Sequence, residues 1–291
     1  MPALHLDDAV YPAAAALREA GLPVPRVLLL AGTGLGVLPA SLKDLRSMDL
    51  ADLPGTPRAW QEGLLHAGSL GDCSVWMLED APDEIIFGEG GGLERPAWER
   101  AWPVWLGASS GAQIMLYTAA GVALHAAGQA SSLETGSLAV LTDHVNLSGR
   151  TPLLGLGQTS LGPLFPDQSQ LHHRALLASA QKHAQRLGIP LSEALAACLV
   201  GPSLATPAEL RWLGNSGFQV AVQGLADPLI AAAHAGLATL ALIAIADRAD
   251  APLRMAELIE RADRCAPALE DLIGALDGDL LQAAQHLELE S

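Results

Sequence analysis

Residues 27–36, reading Val-Leu-Leu-Leu-Ala-Gly-Thr-Gly-Leu-Gly, constrain the fold more than any other stretch. The apolar half has no polar alternation, so it suits a strand buried on both faces, as in a parallel sheet covered by helices. The strand runs directly into Gly32, Gly34 and Gly36 with Thr33 between the first two. Glycine lets backbone N–H groups approach a ligand without a Cβ in the way. Such a turn can cradle an oxyanion with amides and one hydroxyl. It lacks the lysine of a P-loop, and its third glycine falls too early for a dinucleotide fingerprint. The pattern alone is equally consistent with a plain strand-to-helix turn.

The rest of the chain alternates apolar strands and helices. Ala9–Ala20 reads as a helix closed by Gly21, Val37–Leu45 as a short helix and Ser47–Gln61 as a loop. Leu64–Gly71 reads as a turn-rich piece before a strand at Ser74–Leu78. Glu79–Gly92 is acidic and ends in three glycines, as in a surface loop. Pro96–Ser110 reads as a helix whose Trp98, Trp102 and Trp105 share a face, for the core or for a subunit contact. Further strands are predicted at Ala112–Thr118, Gly136–Thr142, Glu193–Val200, Gln219–Val222 and Ala238–Ile245. Arg150–Pro166 is irregular. Helices are predicted at Ser169–Leu187, at Thr206–Leu213 with Thr206 and Glu209 forming a capping box, at Pro228–Ala235 with Asp227 as cap, and from Pro252 onward. The expectation is an α/β fold: residues 1–291 as a single domain with a central, mostly parallel mixed sheet flanked by helices. Ligand sites in such sheets gather at strand ends. Thr33, His66, Ala119, Gly201, Gln223 and Asp247 are the residues the pattern puts there.

Charge narrows the partners. The formal charge of −16 argues against nucleic acid and against an acidic membrane surface, but not against a small anion held by local donors. Three scattered cysteines, Cys73, Cys198 and Cys265, form neither a disulfide framework nor a metal-ligand spacing, and no metal is expected. Residues 1–8 show no leader pattern and no apolar run is long enough for a membrane span, so the expected location is cytoplasmic.

Five segments in order resemble the trimeric purine nucleoside phosphorylase family, including its methylthioadenosine branch. They are Gly32-Thr33-Gly34-Leu35-Gly36, Leu65-His66-Ala67-Gly68, Thr118-Ala119-Ala120-Gly121, residues 136–149 ending Asp143-His144-Val145-Asn146-Leu147-Ser148-Gly149, and Gly201-Pro202-Ser203-Leu204-Ala205-Thr206-Pro207-Ala208-Glu209. The resemblance implies a homotrimer that cleaves purine nucleosides with inorganic phosphate as co-substrate and needs no cofactor. It implies phosphate contacts from Thr33, His66 and the backbone of Ala119, with Gly224 at the family's phosphate-serine position. It places Ala205, Gln223 and Asp247 around the base, and gives Asp247 and His66 the catalytic positions. Asp143, His144 and Asn146 are read as a structural loop clamp near the subunit interface.

The departures carry information too. The family's Arg-x-His-x-Tyr-Glu-Gly segment has no counterpart between Glu79 and Pro96, where Asp83, Glu84 and Glu89 stand instead. Arg95 and Arg100 follow just downstream as the candidate replacements for its arginine. Ala205 replaces the purine-binding glutamate, Gln223 the base-stacking methionine, and Asp247 the base-contacting asparagine. An ionised Asp accepts from a 6-amino group, whereas a protonated one donates to N7, so Ala205 with Asp247 leans toward 6-aminopurines. As a bland alternative, Asp247 caps a helix over Ala249–Leu253. Three readings are open at this point: an active phosphorylase, a relative that keeps the fold as a binding or regulatory protein, and a nucleoside hydrolase.

Overall fold

The structure, a computed structural model, describes residues 5–32, 41–79, 96–129, 131, 133–249 and 255–290. Thr33, Gly34, Gly36 and the acidic stretch from Asp80 to Arg95 lie outside the described residues, so the readings placed on them are not addressed by it.

The described strands are β1 (Val27–Ala31), β2 (Lys43–Asp49), β3 (Leu64–Leu70), β4 (Cys73–Glu79), β5 (Ile114–Ala123), β6 (Leu138–Asn146), β7 (Leu191–Leu199), β8 (Val220–Gln223) and β9 (Ala238–Arg248). They form one sheet in the order β2-β3-β4-β1-β5-β8-β7-β6-β9, and β9 returns to pair with β5. Strands β5, β8, β7, β6 and β9 thus close into a ring. Strand β1 is parallel to both neighbours, β4 and β5, while β3 runs antiparallel to β2 and β4. The sheet is mixed, with parallel pairing at its centre, as expected.

The helices are α1 (Leu6–Glu19), α2 (Trp102–Ser109), α3 (Arg174–Leu187), α4 (Pro207–Asn215), α5 (Ala226–His234), α6 (Met255–Ala275) and α7 (Asp277–Glu290). All five residues of β1 are buried. Leu28 and Leu30 join a core cluster with α1, α2 and α5 residues, whereas Val27, Leu29 and Ala31 join one with α3, α6 and α7 residues. A strand covered by helices on both faces has no place for alternating polar residues, which is why its sequence is continuously apolar. The helix α2 is apolar all round because it lies inside the molecule; Trp102 and Trp105 are fully buried, and Trp98 nearly so. The tryptophan stripe is therefore core packing. Gly107 lets α2 close on β1, since a Cβ there would come within 2.9 Å of a Leu28 methyl. The capping box of Thr206 and Glu209 is formed as the sequence predicts, with Pro207 in the first turn.

Several expectations are corrected. Lys43–Leu45, the described end of the predicted helix, belongs to the edge strand β2, which continues through the predicted loop to Asp49. The piece around His66 is not turn-rich but a regular strand, β3. The segment after Pro96 begins as a 3-10 turn over Ala97–Ala101 before α2. The helix predicted from Ser169 starts at Arg174, where the His173 ring accepts the Leu176 N–H. Asp227 does not cap α5; Leu225 holds that position, and Asp227 sits in the first turn in an ion pair with Arg100. Asp247 is no helix cap, because it lies inside β9. Arg150–Pro166 is irregular, as expected. No described helix is long and apolar enough to cross a membrane.

Candidate active site

Gly32 follows β1, and the structure shows why that position is glycine. Its N–H donates to the Thr118 carbonyl at 2.9 Å and contacts the Thr118 hydroxyl at 3.1 Å. A Cβ on Gly32 would lie 2.3 Å from that same carbonyl oxygen. Gly32 is therefore pressed against β5 at Thr118, next to Ala119. Ala119 is buried and pairs with Ile243 of β9.

Neighbouring strands bring other predicted residues to the same stretch of β5. Strand β8 runs antiparallel to β5 with Val222 opposite Gly121, and Gln223 and Gly224 follow directly after that pair at the end of β8. The Gln223 side-chain amide donates to the Ser203 carbonyl at 2.7 Å and ties the end of β8 to the loop after β7. Gly224 adopts φ 74°, a left-handed conformation that suits glycine in this turn. Ala205, in the loop after β7, packs on a small apolar cluster that contains Val122. Val122 is the register partner of Asp247 on β9.

Asp247 is the most demanding residue of the group. Its side chain is only 2% exposed. One oxygen, Oδ1, lies 2.6 Å from Arg261 Nη1 on α6 and accepts the Arg248 N–H at 2.8 Å. The other, Oδ2, is buried and has no partner among the described residues. An unsatisfied buried carboxylate oxygen is costly unless something donates to it. Arg261 also contacts Glu257 one helical turn back. The sequence gives no signal for Arg261, because its partner is on a strand and no fixed spacing joins the two.

His66 stands at the flank of this group, across the sheet on β3. It lies on β3 opposite Met77 of β4, which is opposite Leu29 of β1, three residues before Gly32. Two strand spacings put it about 10 Å across the sheet from β1. Its Nδ1 is engaged by the Ser47 hydroxyl at 2.8 Å. Register places the His66 and Thr118 side chains on the same face of the sheet. Arg100 is likewise committed elsewhere, with Nε 2.6 Å from Asp227 Oδ2. It does not replace the missing phosphate arginine in this arrangement.

Asp143, His144 and Asn146, expected in a loop, instead form the end of strand β6, and Asn146 ties down the residues that follow it. The Asn146 amide donates to the Arg150 carbonyl at 2.8 Å, and its oxygen accepts from the Ser148 N–H and hydroxyl. Beside it the His144 and His172 rings meet edge to face. Burial, and then the neighbouring His144, push His172 down to about 4, and burial lowers His144 as well.

A family model described as "Phosphorylase superfamily" matches residues 119–276. The chain is 30% identical to purine nucleoside phosphorylase 1 of Geobacillus stearothermophilus, over 88% of this chain and 92% of that one. It is 28% identical to purine nucleoside phosphorylase 1 of Bacillus subtilis, over 93% and 98%. Among solved structures, Schistosoma mansoni purine nucleoside phosphorylase in complex with adenosine superposes with a TM-score of 0.81 at 21% identity, covering 93% of this chain and 97% of the other. That likeness extends the agreement to the fold.

Proposed function

We propose that this chain, which belongs to the purine nucleoside phosphorylase family, is a pentosyltransferase that cleaves a purine nucleoside with inorganic phosphate to free base and ribose 1-phosphate. The observation that carries the reading is the end-to-end match to enzymes of that activity. A phosphate oxygen attacks C1′ of the ribose as the bond to N9 breaks, and the bonding pair leaves with the purine. Catalysis then consists of holding the anion below the sugar and meeting the charge that develops on the base.

In this reading the turn after Gly32 supplies backbone amides and the Thr33 hydroxyl to phosphate. Ala119 and Gly224 offer main-chain groups beside it, and His66 flanks the anion from β3. Ala205 and Gln223 border the base. Asp247 meets it with Oδ2, because Oδ1 is already taken by Arg261 and the Arg248 amide. An oxygen held this way accepts a hydrogen bond, which matches the 6-amino group of an adenine-type base. Phosphate is the co-substrate and no cofactor takes part. The 291 residues act as one domain, in the cytoplasm, as a homotrimer.

Two observations favour a second reading. Arg100 is spent on Asp227 and Ala205 offers no carboxylate, which suits a family relative that binds nucleoside or base without turning it over. Base release from adenosine, inosine and methylthioadenosine, measured with and without phosphate, separates the cases. Phosphate-dependent release, faster from the two 6-amino substrates than from inosine, is expected. Release without phosphate would make the protein a hydrolase. No release by folded protein would leave the binding reading.

A further inference from the structure

We propose that Asp143, His144 and His172 form a binding site for one divalent transition-metal ion of the zinc class, held by two imidazoles and a carboxylate with a fourth position open to water. The donor atoms converge. His144 Nδ1 and His172 Nε2 are 3.1 Å apart, His144 Nδ1 and Asp143 Oδ1 are 3.9 Å apart, and all three donors lie within 4.8 Å of one another. Zinc with nitrogen and oxygen ligands at about 2.0–2.1 Å in a tetrahedron sets adjacent donors about 3.3 Å apart. The set needs a rotation of Asp143, whose side chain is 72% exposed, and that rotation releases Oδ1 from the His144 N–H it accepts at 2.8 Å. The His144 side chain, at 7% exposed, forms the fixed wall of the site.

The backbone holds the imidazoles rigidly. A register shift against β7 between Leu141 and Asp143 re-aims the end of β6 where the donors begin. On the other side, His172 bridges to Thr239 of β9, and the His173 N–H donates to the Thr239 carbonyl at 2.9 Å. Two facing ring nitrogens can share just one proton, and His172 Nδ1 is buried with no partner among the described residues. The pair thus leaves hydrogen-bonding capacity unused at the buried His172 Nδ1. Metal entry needs no net proton loss from the rings. The shared proton gives way to tautomers with hydrogen on His144 Nε2 and His172 Nδ1, and both inward lone pairs face the ion. A bound ion would staple β6 to the segment that leads into α3.

The test uses the full chain, stripped with chelator and titrated with Co²⁺. Expected are a single equivalent of bound ion and visible d–d absorption, displaced by Zn²⁺. His172→Gln and His144→Gln should lose the band, and the exposed Asp143→Asn should weaken binding at least about tenfold. His183→Gln, whose ring pairs with Asp279 elsewhere, should keep it. Far-UV circular dichroism identifies any variant that fails to fold, and Asp143→Asn keeps the test alive in that event. No d–d band in the unmodified chain, or a band that persists in folded His172→Gln, would overturn the proposal and leave a neutral hydrogen-bonded histidine pair.

Discussion

Asp247 has one oxygen engaged twice and the other by nothing among the described residues. Removing a single partner of a buried ion pair strands the remaining charge, which typically costs about 3–5 kcal/mol. Arg261→Met should therefore lower the unfolding free energy by about 3 kcal/mol, read from urea denaturation. Adding Asp247→Asn to that background should recover part of the loss, because a neutral amide needs no counter-charge. If the single variant costs nothing measurable, the guanidinium does not hold this carboxylate. At this scale the sequence was legible wherever chemistry is local. Gly32, Gly224 and Thr206 each stand where a turn or cap demands their residue type. It was illegible for Arg261, Arg100 and the His144–His172 pair. Their partners are set by how elements pack, and residue type at one position carries no record of that.

Among elements, the contact between α2 and α5 has a pH dependence built into it. The Trp105 indole N–H donates to His234 Nδ1 at 3.0 Å across the two helices, and the His234 ring is buried. That bond requires a bare Nδ1, and burial lowers the affinity of His234 for a proton from its ordinary 6.5, against a small opposing pull from Asp7. The unfolded chain then binds more protons than the fold once pH drops below 6.5, so stability falls from there toward the depressed folded value. His234→Gln, which can still accept from the indole, should show a shallower loss between about pH 6.5 and 5, the range in which histidines titrate. Equal slopes in thermal melts of the two proteins would remove His234 from the account. Element prediction succeeded where burial writes a pattern, as in the continuous apolar run of β1 or the capped start of α4. It failed for β2, a largely exposed edge strand of sequence Lys-Asp-Leu-Arg-Ser-Met-Asp. An edge strand has one paired side and little buried face, so nothing forces apolar alternation on it.

For the whole molecule the open quantity is assembly, and charge and apolar surface pull on it in opposite directions. The irregular segment after β6 presents Leu154, Leu164 and an almost fully exposed Phe165, at 88%. Exposed apolar side chains gathered in one segment mark a surface that gains from being covered. Yet each copy carries a formal charge of −16, so bringing three together concentrates like charge. Salt at physiological strength screens charges beyond about 8 Å, which reaches the distant repulsion and leaves apolar contact intact. The proposed homotrimer should therefore tighten as sodium chloride is raised from 10 to about 150 mM, the opposite of an assembly held by ion pairs. Phe165→Ser should loosen it at every salt concentration while leaving the monomer's thermal stability unchanged, since the ring packs against little within the chain. Sedimentation equilibrium across the salt series decides the matter. Association that weakens with added salt would assign the interface to charge pairing, and association indifferent to Phe165→Ser would place it on another face.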